Sequence, residues 1–240
     1  MLVTASLGRW QLSRAAQKES LQAILDARAS QPAIDGRTLT DPASATPEAQ
    51  QALVYRAVVL QGRWLPEHTV YLDNRQMQGR PGFFVLTPLQ LSGGGAGVVL
   101  VQRGWAARNF QDRTQLPSVT TSADAEVRIQ GRVALSPSRL YEFQAGDSAQ
   151  GSSRIRQNLD LAAFRTETGL ALAPLTVLQT SPVGEADDGL LRDWPVVGAG
   201  VEKHYGYAFQ WFGLCGLIAL LYVWFQIVRR FIRPRSQPAA

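Results

Sequence analysis

Along this chain the spacing of apolar and polar positions changes character three times. Residues 9–29 carry Leu21, Ile24 and Leu25 at the i, i+3, i+4 spacing, with Arg14, Lys18 and Arg28 on another face. That pattern predicts an amphipathic helix. Residues 30–51 contain three prolines and no aromatic side chain, which predicts a connector. Within it, Thr46 and Pro47 suit the cap and first position of one short helical turn. From residue 55 onward, short β-rich runs alternate with turn residues, predicting strands at 55–64, 69–75, 82–88, 98–105, 126–134, 175–181 and 190–197. Val127 and Ile129 fall on one face of their strand by alternation. Residues 92–97 form a glycine-rich link between two strands. Residues 159–168 read as a short helix, with Asn158 or Asp160 near its cap and Gly169 at its end. Residues 136–153 are polar and turn-rich, with no recognisable chemistry. The expected class is α+β: an antiparallel β-rich barrel or sandwich-like domain with a few helices.

The last pattern is different in kind. Residues 205–228 read YGYAFQWFGLCGLIALLYVWFQIV, without a charged side chain. As a helix this segment would extend about 36 Å, enough for a hydrocarbon core of about 30 Å. Lys203 and His204 precede it, and Arg229, Arg230, Arg233 and Arg235 follow it. Tyr205, Tyr207 and Trp211 stand near one end, and Tyr222 and Trp224 near the other, as a bilayer interface favours. The segment therefore reads as a transmembrane helix. Its arginine-rich flank predicts a cytoplasmic C-terminus, with the preceding body outside.

Charge now changes the picture. The chain has 240 residues and a net charge of +5, from 24 Lys+Arg against 19 Asp+Glu. Removing the four C-terminal arginines leaves +5 − 4 = +1, so the basicity is local and gives no reason to expect a nucleic-acid partner. Charged residues make up 18% and hydrophobic residues 45%, which excludes a disordered chain. One cysteine and two histidines exclude an internal disulfide framework and a Cys/His zinc site.

The N-terminal stub, residues 1–7, is too short and lacks the basic region of a signal peptide. Yet the body must cross a membrane before residue 205. The expectation is that residues 1–8 are the remnant of a first transmembrane helix, lost upstream by truncation or a late start codon. The chain then divides into that remnant, an extracytoplasmic domain at 9–203, a transmembrane helix at 204–229 and a cytoplasmic tail at 230–240.

Enzyme chemistry finds little support in the residues. The run from Gly93 to Gly97 lacks the register of a phosphate loop and reads as a hairpin turn. No nucleophile elbow occurs, and Ser148 fails the spacing. Asp187 and Asp188 read as a solvated turn. His68 reads as a surface histidine. His204 shares a helix face with Tyr207, Ala208 and Trp211, and two readings stand open for it. It is an axial ligand for a porphyrin at the membrane surface, or a polar residue marking where the helix leaves lipid.

Four stretches together resemble the Surfeit locus protein one family, the membrane-anchored assembly factors of cytochrome c oxidase. They are Leu7-Gly8-Arg9-Trp10-Gln11-Leu12 with Arg14 and Lys18; Gly79-Arg80-Pro81-Gly82 leading to Thr87-Pro88-Leu89; Arg103-Gly104-Trp105; and the run from His204 to Phe212. The resemblance implies two transmembrane helices around an extracytoplasmic β-rich domain, in the inner (plasma) membrane of a bacterium with the main domain periplasmic. It implies a non-enzymatic chaperone of the respiratory chain that assists insertion of haem a into oxidase subunit I. The haem-free alternative is a structural chaperone for an oxidase subunit or assembly intermediate. Implied partners are subunit I, haem a synthase and the lipid bilayer. The implied metal ligand is His204, with Tyr207 and Trp211 beside the haem. The approach Gly200-Val201-Glu202-Lys203 departs from the asparagine-rich form of the family. Trp10 and Trp105 are expected to pack, the first at the membrane exit of the first helix and the second in the sheet.

Overall fold

A computed structural model describes residues 1–93, 97–112, 115–121, 123–137, 153–181, 188–194 and 200–229. The chain forms two compact units, Met1–Asp26 with Pro195–Ala240, and Ala27–Trp194. Among the described residues there are five α-helices: α1 (Leu2–Ala29), α2 (Gly36–Thr40), α3 (Pro47–Leu53), α4 (Leu161–Thr168) and α5 (Val201–Val223). The eight strands are β1 (Ile34–Asp35), β2 (Ala57–Trp64), β3 (Val70–Met77), β4 (Arg80–Leu91), β5 (Val98–Ala107), β6 (Glu126–Ala134), β7 (Ile155–Arg156) and β8 (Leu172–Ser181). The architecture is thus mixed α/β, with one large sheet and an apolar C-terminal helix.

In the larger unit all eight strands join one sheet in the order β1-β2-β6-β8-β5-β4-β3-β7. Strand β2 pairs with β6 from Ala57 to Arg63, and also with β4 from Gly62 to Trp64. The pairings β2-β6-β8-β5-β4-β2 therefore form a closed cycle. The sheet is mixed, which corrects the expectation of an antiparallel one: β8 runs parallel to β5 while antiparallel to β6. The connection from β6 to β8 is long and includes α4. The parallel pair, β5 and β8, is joined only through β6, β7 and α4, a connection far longer than the hairpin that links antiparallel neighbours.

One core cluster draws on every strand of the cycle: Leu60 and Trp64 of β2, Leu89 of β4, Val99 and Val101 of β5, Ile129 of β6 and Leu175 of β8. Val98 and Leu100 belong to a second cluster with Leu161 and Phe164 of α4. Strand β5 is buried on both faces, which is why its first half, Val98–Val101, is continuously apolar rather than alternating. On β6 the alternation is as expected, with Ile129 buried between exposed neighbours and Gly131 and Val133 buried on the same side.

Local signals were read well at α3 and α4. Thr46 Oγ1 accepts from Ala49 N with Pro47 at the first position. Asp160 accepts from the amides of Ala162 and Ala163, and Gly169 ends α4 in the left-handed region at φ 68°. The connector at 30–51 is more structured than expected. Asp35 caps α2 through Arg37 N, Asp41 caps a 3-10 turn through Ala43 N, and Leu39 of α2 is fully buried. Short polar caps make helices too brief for periodicity to show. The strand expected at 190–197 reduces to an isolated bridge between Leu191 and Trp105, and residues 195–199 lie outside the described ones. So do Gly94, Gly95 and Ala96 of the glycine-rich link, Asp187, Ser148 with most of 136–153, and Arg230, Arg233 and Arg235.

In the smaller unit α1 starts at Leu2, so the apolar stub and the polar helix are one element. Of the face predicted from Leu21, Ile24 and Leu25, Leu25 is buried and Leu21 partly so, while Ile24 is 47% exposed. With Ala5, Leu7, Leu21 and Arg28 also partly covered, the sheltered positions include a regular line of Thr4, Gly8, Gln11, Ala15, Lys18, Gln22 and Leu25. Their alternating steps of four and three make a seam of period 3.5. Small and polar residues compose it, so a search for apolar positions passes over it.

Candidate functional site

Helix α5 begins after Gly200, which is left-handed at φ 87°, and Glu202 in its first turn suits the positive end of the helix dipole. From Val201 to Ile227 it is long and apolar enough to cross a membrane. Its less exposed positions are Val201, His204, Ala208, Trp211, Cys215, Ile218 and Ala219, the first six repeating the steps of three and four seen on α1.

The two helices of this unit meet in antiparallel order. The Cys215 thiol reaches the Met1 carbonyl at 3.5 Å, and Tyr205 Oη donates to Glu19 Oε1 at 2.8 Å. Gly8 faces the ring of Phe212 so closely that a Cβ at Gly8 would lie 2.8 Å from Cζ. His204 Nδ1 stands 2.7 Å from Gln11 Oε1. The first and fourth motifs of the sequence are therefore two sides of one helix contact.

The close approach at Gly8 gives a test of this pairing. Gly8→Leu is expected to push the axes apart by about 2 Å, since interaxial distance follows the size of the contact residues. Spin labels at the exposed Leu12 and Phe209 would read the change. An unaltered distance would show that Gly8 does not set the spacing.

Of the three residues expected around a haem, His204 and Trp211 lie on the sheltered side of α5, while Tyr207 is 51% exposed. The imidazole has its Nδ1 partnered by Gln11, and no described residue is bonded to its Nε2. Trp10 is also half exposed, with the Arg14 guanidinium 5.7 Å from its ring centroid. His68 sits on a surface turn, 3.9 Å from Glu67. Among the described residues, no group of three His, Cys, Asp or Glu side chains converges as a metal cage would require. Gln11 was quoted in a motif but not expected at the site. The signal that could have found it is the seam spacing that aligns it with Gly8 and Ala15.

The other two motifs converge on Trp105 in the larger unit. Trp105 is buried, as expected, and donates from Nε1 to the Arg75 carbonyl at 2.9 Å. Arg80 stacks 5.5 Å from its ring centroid, and Gly82 leaves space for the indole. Arg103, 3% exposed, lies 4.7 Å from the centroid of Trp64 and donates to Thr120 O at 3.0 Å, to Thr121 Oγ1, and to Asp188 at 3.3 Å. Burial pushes the Arg103 guanidinium below its ordinary value, and Asp188 opposes that shift. Asp188 also binds Arg192. The expectation of a solvated turn is corrected here: Asp188 is the counter-charge of a buried arginine. These motifs hold the sheet together and present no reacting groups.

An open cleft of about 680 Å³ lies elsewhere in this unit, with Asp35, Arg37, Glu126 and Arg128 among its lining residues. Two of those four charges are occupied structurally, since Asp35 caps α2 and Arg37 donates to the Gly93 carbonyl at 2.6 Å.

Comparison with known proteins agrees with the motif reading. A model of the SURF1 family matches residues 1–216. A SURF1-like protein of Rickettsia felis is 27% identical over 92% of this chain and 91% of its own. A SURF1-like protein of Rickettsia conorii is 27% identical over 99% of this chain and 92% of its own. The cytochrome oxidase assembly protein SHY1 of Saccharomyces cerevisiae is 30% identical over 43% of this chain and 25% of its own. With nearly the whole chain matched from α1 into α5, the chain belongs to the SURF1 family.

Proposed function

We propose that this protein is a membrane-anchored assembly factor for a haem-copper cytochrome c oxidase, that it is no enzyme, and that it holds haem a through His204 for delivery to subunit I. The observation that carries the reading is His204 itself. It stands at the polar start of an apolar helix, its Nδ1 held by a neighbour and its Nε2 bonded to no described residue. The donor set suits the group: a neutral imidazole nitrogen is a common axial ligand for haem iron. Trp211, two turns on along the same side of α5, is only partly buried and offers an indole edge. When bound, haem a would supply an iron able to take a nitrogen donor. His204 would hold it, Trp211 would pack beside the macrocycle, and exposed Tyr207 would flank its rim.

The family and the printed role of the yeast relative in cytochrome oxidase assembly support the oxidase as client. The apolar α5 supports a membrane anchor, and Arg229 at its end favours a cytoplasmic C-terminus. On this reading, in a bacterium, the larger unit would lie in the periplasm and dock subunit I or haem a synthase.

His204→Ala is the direct test. In protein purified from cells that make haem a, the Soret band is expected to fall to background while the amount in the membrane fraction stays unchanged. An undiminished band would reject His204 as the ligand. Absence of the band from the unaltered protein too would leave the haem-free chaperone as the better reading.

A further inference from the structure

Which imidazole nitrogen is free to bind a metal is decided by what the other one does. The amide oxygen of Gln11 is only an acceptor, and it lies 2.7 Å from Nδ1 of His204. A hydrogen bond there requires the proton to sit on Nδ1. In a neutral imidazole the lone pair is then on Nε2. We propose that Gln11 is a positioning residue that holds His204 in the Nδ1–H form with its ring rotation fixed, so that Nε2 is presented as the ligand. This inference rests on the reading of His204 as a haem ligand.

Three features of the helix pair favour the role. Gln11 lies on the sheltered seam of α1, between Gly8 and Ala15. The Gly8–Phe212 approach, one turn before Gln11, brings the helices close enough for so short a contact. Tyr205, adjacent to His204, is tied to Glu19 of α1, the helix that carries Gln11, which restrains α5 about its axis. Both partners are partly sheltered from water, which strengthens their hydrogen bond. The ligand would thus depend on two helices far apart in sequence: α5 supplies the imidazole and α1 sets its chemical form.

The test uses the full chain in lipid nanodiscs, with haem a as probe, and compares the unaltered protein with Gln11→Leu, Gln11→Glu and His204→Ala. Without haem, nitrogen-15 shifts report the tautomer, and only His68 shares the spectrum. The Nδ1–H form is expected in the unaltered protein and a mixture in Gln11→Leu. Haem a affinity is expected to fall about 10- to 100-fold in Gln11→Leu. Gln11→Glu retains an acceptor, so it should keep the affinity. Its carboxylate should also lower the midpoint potential by making the imidazole more basic. A residue that merely packed the helices would leave the potential unmoved. An Nε2–H tautomer in the unaltered protein, or unchanged tautomer and affinity in Gln11→Leu, would overturn the proposal. If His204→Ala binds haem a undiminished, the ligand reading falls on its own account. The haem-free tautomer comparison would still judge whether Gln11 controls the ring.

Discussion

Replacing Asp188 by alanine is expected to destabilise the larger unit by about 3–5 kcal/mol, the cost of leaving a buried charge without its partner. Asp188 is the acidic neighbour of both Arg103 and Arg192, whose side chains are 3% and 10% exposed. Without it two guanidiniums would face each other where water cannot easily reach them. The remaining contacts of Arg103, with Thr120, Thr121 and the Trp64 ring, satisfy donors but carry no opposite charge. In a domain of this size the loss corresponds to a lower melting temperature by about 10 °C. Asp188→Asn, which retains a hydrogen-bond acceptor, should lose less than the alanine variant. Equal melting temperatures for the alanine variant and the unaltered protein would show that the arginines are adequately solvated without Asp188.

The second large effect is expected at Gly82. A Cβ there would lie 2.2 Å from the carbonyl oxygen of Ala106 and 2.5 Å from Cζ2 of Trp105. Backbone of the neighbouring strand cannot retreat without breaking the β4–β5 ladder, which runs from Gly82 to Gln90. The indole is held in turn by its bond to the Arg75 carbonyl. Gly82→Ala should therefore cost about 4 kcal/mol or more, at the extreme of single substitutions. Gly79→Ala makes the useful contrast. Its backbone is left-handed at φ 74° with nothing near the Cβ position, so only conformational strain of about 1–2 kcal/mol is expected. Thermal unfolding of the two variants side by side decides the matter. A Gly82 variant no worse than the Gly79 variant would mean that the strands yield.

Much of the fold was legible because each signal was local. The caps of α3 and α4 and the alternation of β6 depend on residues a few positions apart, and the strands followed from short apolar runs between turns. What the sequence concealed were properties of distant pairs. Nothing near β8 marks it as parallel to β5, since β6, β7 and α4 intervene and the outcome depends on the path of that whole stretch. The seam of α1 is written in glycine, alanine, glutamine and lysine, residues that hydropathy ranks as unremarkable. Its partner on α5 is separated by the whole larger unit. The proposed site divides in the same way. His204 stood out as a titratable residue beside an apolar helix, whereas Gln11 became meaningful only when the helices were placed together. Asp188 misled for a related reason: a carboxylate in a polar loop looks solvated until a buried arginine is found beneath it.

The cycle of strands also bears on how the chain is made. Strand β8 lies between β5 and β6 in the sheet, yet of these three it is the last in sequence. While the ribosome is still producing residues before 172, the facing edges of β5 and β6 lack the strand that joins them. Exposed strand edges invite pairing with other chains, and non-local pairing is slow to form. The nascent domain is therefore most exposed to aggregation during the synthesis of the α4 crossover, and its window of vulnerability closes only as β8 emerges and the ring is completed.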